Sequence, residues 1–243
     1  YKSQNSPSTC AAAGSQELPI ATRLAITEVN GGANSTAGNG FSVVVQSQAP
    51  GGAAANVSTN TTVTLSLKTG SGTLGGTQTG TILAGSNSVT ISGVTYTKAE
   101  SAVVLNATRT VGDNLTAGDS TGFTVNPGVM SASISTVSAS PTSIPANGSD
   151  SSTIAVTLRD AYGNLMPGKT VSLGKSSGSS TITPANGVSD PNGVVSFLVS
   201  DLVAETTTYS ATNTTDAIVL TQTSAVSFTP TPWHNGPWPY RKA

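Results

Sequence analysis

Apolar residues recur along this chain with a period near two, over short stretches separated by glycine, proline and asparagine. Val63, Leu65 and Leu67 alternate with Thr64 and Ser66. Phe41 to Gln48 is a second run, and Leu24, Ile26 and Val29 mark a third. Such alternation places apolar side chains on one face of a pleated strand and hydroxyl-bearing ones on the other. The pattern predicts further strands at Gly80 to Leu83, Ser88 to Ser92, Val94 to Thr97, Ala102 to Thr108 and Gly122 to Val125. Beyond Asn126, Pro127 and Gly128 it restarts, with strands expected at Ser133 to Val137, Thr153 to Leu158, Thr170 to Leu173, Val194 to Val199, Tyr209 to Thr212 and Val219 to Phe228. Pro50 to Gly52, Asp160 to Asn164 and Asp190 to Gly193 read as turns, because glycine, asparagine and aspartate tolerate the backbone angles that reversals need. No amphipathic stretch is long enough for a helix of ordinary length.

The two halves echo one another. Thr62 to Leu74 resembles Thr170 to Ile182, Gly93 to Tyr96 sits where Gly193 to Phe197 sits, and each half closes on an alternating strand, Phe123 to Val125 and Val226 to Phe228. A repeat of roughly 100 residues is the size of one immunoglobulin-like sandwich. The expected fold is therefore all-β: two tandem immunoglobulin-like β-sandwich domains with extended N- and C-terminal tails. The expected boundaries are an arm over 1–18, a first sandwich over 19–127, a second over 128–229 and a tail over 230–243.

Four ordered motifs of the second half carry a resemblance. They are Ser140 to Gly148 (Ser-Pro-Thr-Ser-Ile-Pro-Ala-Asn-Gly), Ser152 to Asn164 (ending Asp-Ala-Tyr-Gly-Asn), Pro167 to Leu173, and Asp190 to Val194. Together they resemble the bacterial immunoglobulin-like domains of the invasin and intimin type. The first half looks like a diverged relative, which keeps the strand rhythm but lacks the Ala-Asn-Gly and Asp-x-x-Gly-Asn turns. The resemblance implies rigid spacers of secreted adhesins, surface fibres and large repeat proteins; a fold of this kind does not by itself fix function.

Composition narrows the chemistry. Charged residues make up 9% of the 243, the formal net charge is -1, and hydrophobic residues reach 36%. This leaves no electrostatic footprint for nucleic acid or an anionic membrane. No run approaches the roughly 18 apolar residues of a membrane-spanning helix. Tyr1 reads as a processed end from which an export signal has been removed, so a secreted, cell-surface location is expected. His234 is the only histidine and Cys10 the only cysteine, which argues against a Ser-His-Asp triad, a zinc set or an internal disulfide. The glycine-rich stretches lack the lysine and helix of a phosphate cradle. The 11 acidic residues fall mostly at turns, where aspartate bonds its own backbone. Calcium at a domain junction is the one metal chemistry such loops could support, but no calcium-loop spacing is present. No enzymatic activity, cofactor or metal is expected.

The tail is compositionally unlike the rest, with Trp233, His234, Trp238 and Tyr240 among four prolines. It reads either as a free end or as an extended docking segment, since tryptophan and tyrosine are enriched at interface hot spots. Cys10 reads as an unpaired thiol or as an intermolecular or anchoring one. Asn34, Asn56, Asn60, Asn106, Asn114, Asn147 and Asn213 head Asn-x-Ser/Thr sequons and are candidates for glycosylation. The favoured expectation is a structural subunit of an extracellular filament, fibre or sheath. Its partners would be copies of itself or neighbouring cell-surface proteins, with Cys10 and the four tail residues at the subunit interface. The alternative is a stalk segment of a secreted adhesin, with or without receptor or carbohydrate binding.

Overall fold

The structure, a computed structural model, describes residues 19–231. The first half holds β1 (Arg23–Val29), β2 (Ser35–Thr36), β3 (Phe41–Gln48), β4 (Thr61–Thr69), β5 (Leu74–Gly76), β6 (Thr79–Ile82), β7 (Ser88–Tyr96), β8 (Glu100–Val111), β9 (Gly118–Asp119) and β10 (Phe123–Asn126). Their sheets run β1-β3-β7-β5 and β2-β10-β8-β4-β6, with β9 attached to β8. The second half holds β11 (Thr136–Ser140), β12 (Ser143–Pro145), β13 (Ser152–Thr157), β14 (Thr170–Lys175), β15 (Thr181–Thr183), β16 (Asn186–Val188), β17 (Val194–Ser200), β18 (Thr206–Asn213) and β19 (Ile218–Thr229). Their sheets run β11-β13-β17-β15 and β12-β19-β18-β14-β16. Apart from β9 the two orders correspond strand for strand. Even the parallel pairings recur, β2 on β10 and β12 on β19.

Alternation in the sequence becomes alternation in burial. Along β3 and β13 every second residue is buried, so one face of each sheet is apolar. The inner faces close on two separate cores. Val43, Val45, Leu65, Ile91, Tyr96 and Leu105 lie in the first, and Ile154, Val156, Leu173, Phe197, Tyr209 and Phe228 in the second. Burial of each large side chain stabilises its domain by about 1.5–3 kcal/mol.

Two strand expectations need correction. Ser88 to Ser92 and Val94 to Thr97 are one strand, β7. Gly93 takes φ 79° within it, and the register against β3 shifts between Phe41 and Val43. Glycine lets the chain bulge there without ending the ladder. The strand expected at Ser133 to Val137 begins instead at Thr136. Before it, the Ser135 amide closes a turn onto the Ser131 carbonyl. The buried Ser135 hydroxyl exchanges hydrogen bonds with the Arg159 backbone, accepting from its amide at 3.0 Å and donating to its carbonyl at 3.2 Å. Serine offers the backbone an alternative to a ladder in this way. Helical structure among the described residues is a single 3-10 turn, Asn30–Gly32.

Candidate functional site

A cluster of side-chain hydrogen bonds lies where the two sandwiches meet. The β2–β3, β7–β8 and post-β10 segments leave the first sandwich at one pole. The β13–β14 loop of the second sandwich, which contains Asp160 to Asn164, reaches them.

Asp160 organises that loop. It is fully buried. Its Oδ1 accepts from the amides of Tyr162 and Asn164, both at 2.9 Å. Its Oδ2 accepts from the Gly128 amide and from Asn164 Nδ2, both at 2.8 Å. All four partners are donors, so a carboxylate, which only accepts, fits where an amide would not. Aspartate thereby folds its own turn and also holds the linker between the domains.

Asn164 carries the bond across. Its Nδ2 donates to the Thr97 carbonyl at 2.9 Å, and its Oδ1 accepts from the Ala99 amide at 2.9 Å. The side-chain amide thus pairs with the first domain's backbone as a strand neighbour would. Beside it, Tyr162 lies against Gly38: a Cβ on that glycine would fall 2.3 Å from Tyr162 Cε2. Gly38 also has φ 79°, so both backbone angle and space require glycine there. Gly128 is similarly tight, with the Ala37 carbonyl 2.9 Å from where a Cβ would sit. Arg159 completes the turn by donating from Nη1 to the Gly163 carbonyl at 2.8 Å.

A groove of about 570 Å³ runs along the joint, bordered by Lys98, Glu100, Pro127, Arg159, Leu165 and Pro191 among others. Glu100 is bound on the first-domain side. It accepts from the Tyr96 hydroxyl, from the Ser71 amide at 2.7 Å and from the Ser71 hydroxyl at 2.8 Å, and Lys98 Nζ lies 3.9 Å away. The Tyr96 hydroxyl, followed by these Ser71 donors and Lys98, holds the carboxyl down from 4.5 to about 2. A depressed carboxylate stabilises the fold above its unfolded pKa and loses that contribution as pH falls through the folded one. The first domain is therefore expected to lose on the order of 1 kcal/mol, after allowing for solvent screening of this surface group, between pH 4.5 and about 2, and Glu100→Gln is expected to flatten that limb. Urea midpoints of both proteins across that window measure it.

The expected interface residues Cys10, Trp233, His234, Trp238 and Tyr240 lie outside the described residues. The sequon asparagines do not gather at one place. Asn34, Asn56, Asn60, Asn114 and Asn147 are exposed, and Asn106 is half-buried with its amide donating to Asp119 at 2.7 Å. Asn213 is withdrawn as a glycosylation candidate. It is fully buried, and its Nδ2, the nitrogen a glycan needs, is engaged by Asp216 Oδ2 at 2.8 Å and by the sulfur of the buried Met130 at 3.5 Å. Among the described residues no three His, Cys, Asp or Glu side chains stand together as a metal set, and no helix is long and apolar enough to cross a membrane.

Sequence reading identified Asp160 to Asn164 as a turn but missed its role between the domains. The available signal was the pairing of that turn with the glycines at 38 and 128, which only the fold brings together.

Comparison with known proteins places this geometry. The profile of the bacterial Ig-like domain (group 1) matches residues 134–229. The inverse autotransporter adhesin YeeJ of Escherichia coli strain K12 is 38% identical over 76 residues, which is 31% of this chain and 3% of that protein. The chain thus spans a small fraction of the length of that curated relative. Among solved structures, the Escherichia coli adhesin FdeC aligns over 86% of this chain and 64% of its own, at 18% identity and TM-score 0.50. InvD of Yersinia pseudotuberculosis aligns over 83% of this chain and 56% of its own, at 20% identity and TM-score 0.50. At such identities the likeness to both structures speaks to fold alone. Residues 134–229 therefore match the bacterial Ig-like domain of group 1, as their turn motifs implied, and are preceded by a sandwich of the same strand order.

Proposed function

We propose that this chain is a stalk segment of a larger surface adhesin, a spacer that holds other parts of the protein at a fixed distance and direction. The observation that carries this reading is the Asp160–Asn164 joint. Two domains linked only by a flexible connector would not need a buried carboxylate with four donors and a side-chain amide paired across the boundary. Likeness to an inverse autotransporter adhesin and to the fold of the Escherichia coli adhesin FdeC agrees with it. In that setting the chain lies outside the cell, and its partners are the neighbouring domains of the same polypeptide.

Small-angle scattering with size-exclusion chromatography tests the reading on the whole chain. A monomer whose scattering fits one domain arrangement supports a stalk. Asn164→Ala removes both bonds to the first domain and is expected to weaken the joint by about 2 kcal/mol, at about 1 kcal/mol per hydrogen bond. Its scattering is expected to broaden into a range of arrangements while both cores stay folded. Filaments or large oligomers of the unmodified chain would instead return the case to a self-assembling subunit.

A further inference from the structure

The far pole of the second domain repeats the pole at which the first domain receives its neighbour, with one change of charge. In the first domain Glu100, at the start of β8, clasps Ser71, and Lys98 and the Tyr96 hydroxyl face the same carboxylate. In the second domain Glu205, just before β18, clasps Ser179 in the same manner, accepting from its amide at 2.6 Å. There a second acid, Asp201, takes the place of the lysine. The Ser179 hydroxyl bridges the two, 2.8 Å from Asp201 Oδ1 and 3.4 Å from Glu205 Oε1. The two carboxylates are thus tied together through one shared hydroxyl.

Asp201 is only 5% exposed, and its Oδ2 has no donor. Thr207, fully buried, likewise has a hydroxyl oxygen with no partner. It stands beside Glu205: a Cβ on Gly178 would meet Glu205 Oε1 at 2.2 Å and Thr207 Oγ1 at 2.9 Å. The ammonium of Lys175 bonds the Ser180 carbonyl and pairs with neither acid. A buried carboxylate oxygen without a donor is costly unless something positive meets it. A cleft of about 320 Å³ lined by Gly148, Ser179, Asp201, Leu202 and Val203 runs along the Asp201 side of the pair.

We infer that the Asp201–Glu205 pair, with Thr207 Oγ1 beside it, is a binding site for a hard divalent cation, calcium before magnesium. All the offered ligands are oxygens. They come from loops and strand ends rather than a rigid octahedral cage, and calcium accepts irregular sets completed by carbonyls and water. With two carboxylates the affinity falls in the weak range of about 10⁻⁴–10⁻³ M.

Calcium chloride titrated into the full chain at neutral pH, followed by calorimetry and thermal unfolding, tests the site. The expected result is saturable binding in that range, weaker for magnesium chloride. At about 10 mM calcium the folding constant of the second domain is expected to rise roughly 10- to 100-fold, with the first domain unmoved. Asp201→Asn and, independently, Glu205→Gln are expected to abolish the response. The inference is overturned if calcium leaves the unmodified chain unchanged, if either variant responds as the parent does, or if acidification alone reproduces the stabilisation, which would assign the gap between the carboxylates to a shared proton.

Discussion

Replacing Asp160 with alanine is expected to destabilise the second domain by about 3–5 kcal/mol and to free the two domains from one another. The change leaves four N–H donors without their acceptor in a site that is fully buried, and hydrogen bonds to a charged group are each worth about 1.5–3 kcal/mol without being additive. The isosteric Asp160→Asn is the sharper experiment. It keeps the shape but turns an NH₂ toward donors, so it is expected to recover little of the loss. Chemical denaturation gives the stability, and amide exchange at Gly128, Tyr162 and Asn164 reports whether the turn opens. An asparagine variant as stable as the parent would mean that volume, and not acceptor chemistry, holds the turn.

Phe197→Ala is expected to cost about 3–5 kcal/mol, confined to the second domain. The ring is fully buried, opposes Ile154 across β13 and β17, and reaches toward Gly187, whose Cβ would lie 3.9 Å from Phe197 Cζ. Because the two cores share no residue, the unfolding curve is expected to separate into two transitions, the earlier one belonging to the second domain. The first domain's transition moves only by what the joint contributes to it. If both move together, the joint couples the domains more strongly than its hydrogen bonds suggest. Fluorescence and far-ultraviolet dichroism during a urea titration distinguish the two results.

These expectations rest on features that differ in how far the sequence reveals them. Long alternating runs such as Phe41 to Gln48 and Val194 to Val199 are legible, because a half-buried strand writes its burial into every second residue. The internal repeat is legible for the same reason: Thr62 to Leu74 and Thr170 to Ile182 fall on β4–β5 and β14–β15, which occupy matching places in the two sheets. Strands of two or three residues, β2 and β9 among them, are too short to show any period. The joint was half legible. Asp160 announces a turn through its spacing to Gly163 and Asn164, but Gly128, Thr97 and Ala99 are distant in sequence and carry no mark of their meeting it. Asp201 and Glu205 show the same limit. Four residues apart in a loop, they look like ordinary solvated acids until folding sinks one of them beside the other. Asn213 errs in the opposite direction, since its sequon is a local pattern that burial overrules.

The joint also gives the chain a grammar. Its two halves are not alike: the second domain supplies the acidic turn and the side-chain amide, and the first supplies glycines and free backbone groups. The first domain has no such turn in its own corresponding loop. There Asp113, from elsewhere in the domain, is already spent on the amides of Ser58 at 2.6 Å and Thr59 at 3.1 Å. Exchanging the order of the domains would leave the joint without its acidic turn and its side-chain amide. Sequence order in such an array is thus part of its architecture, and a shuffled gene would encode the same folds without the same connection.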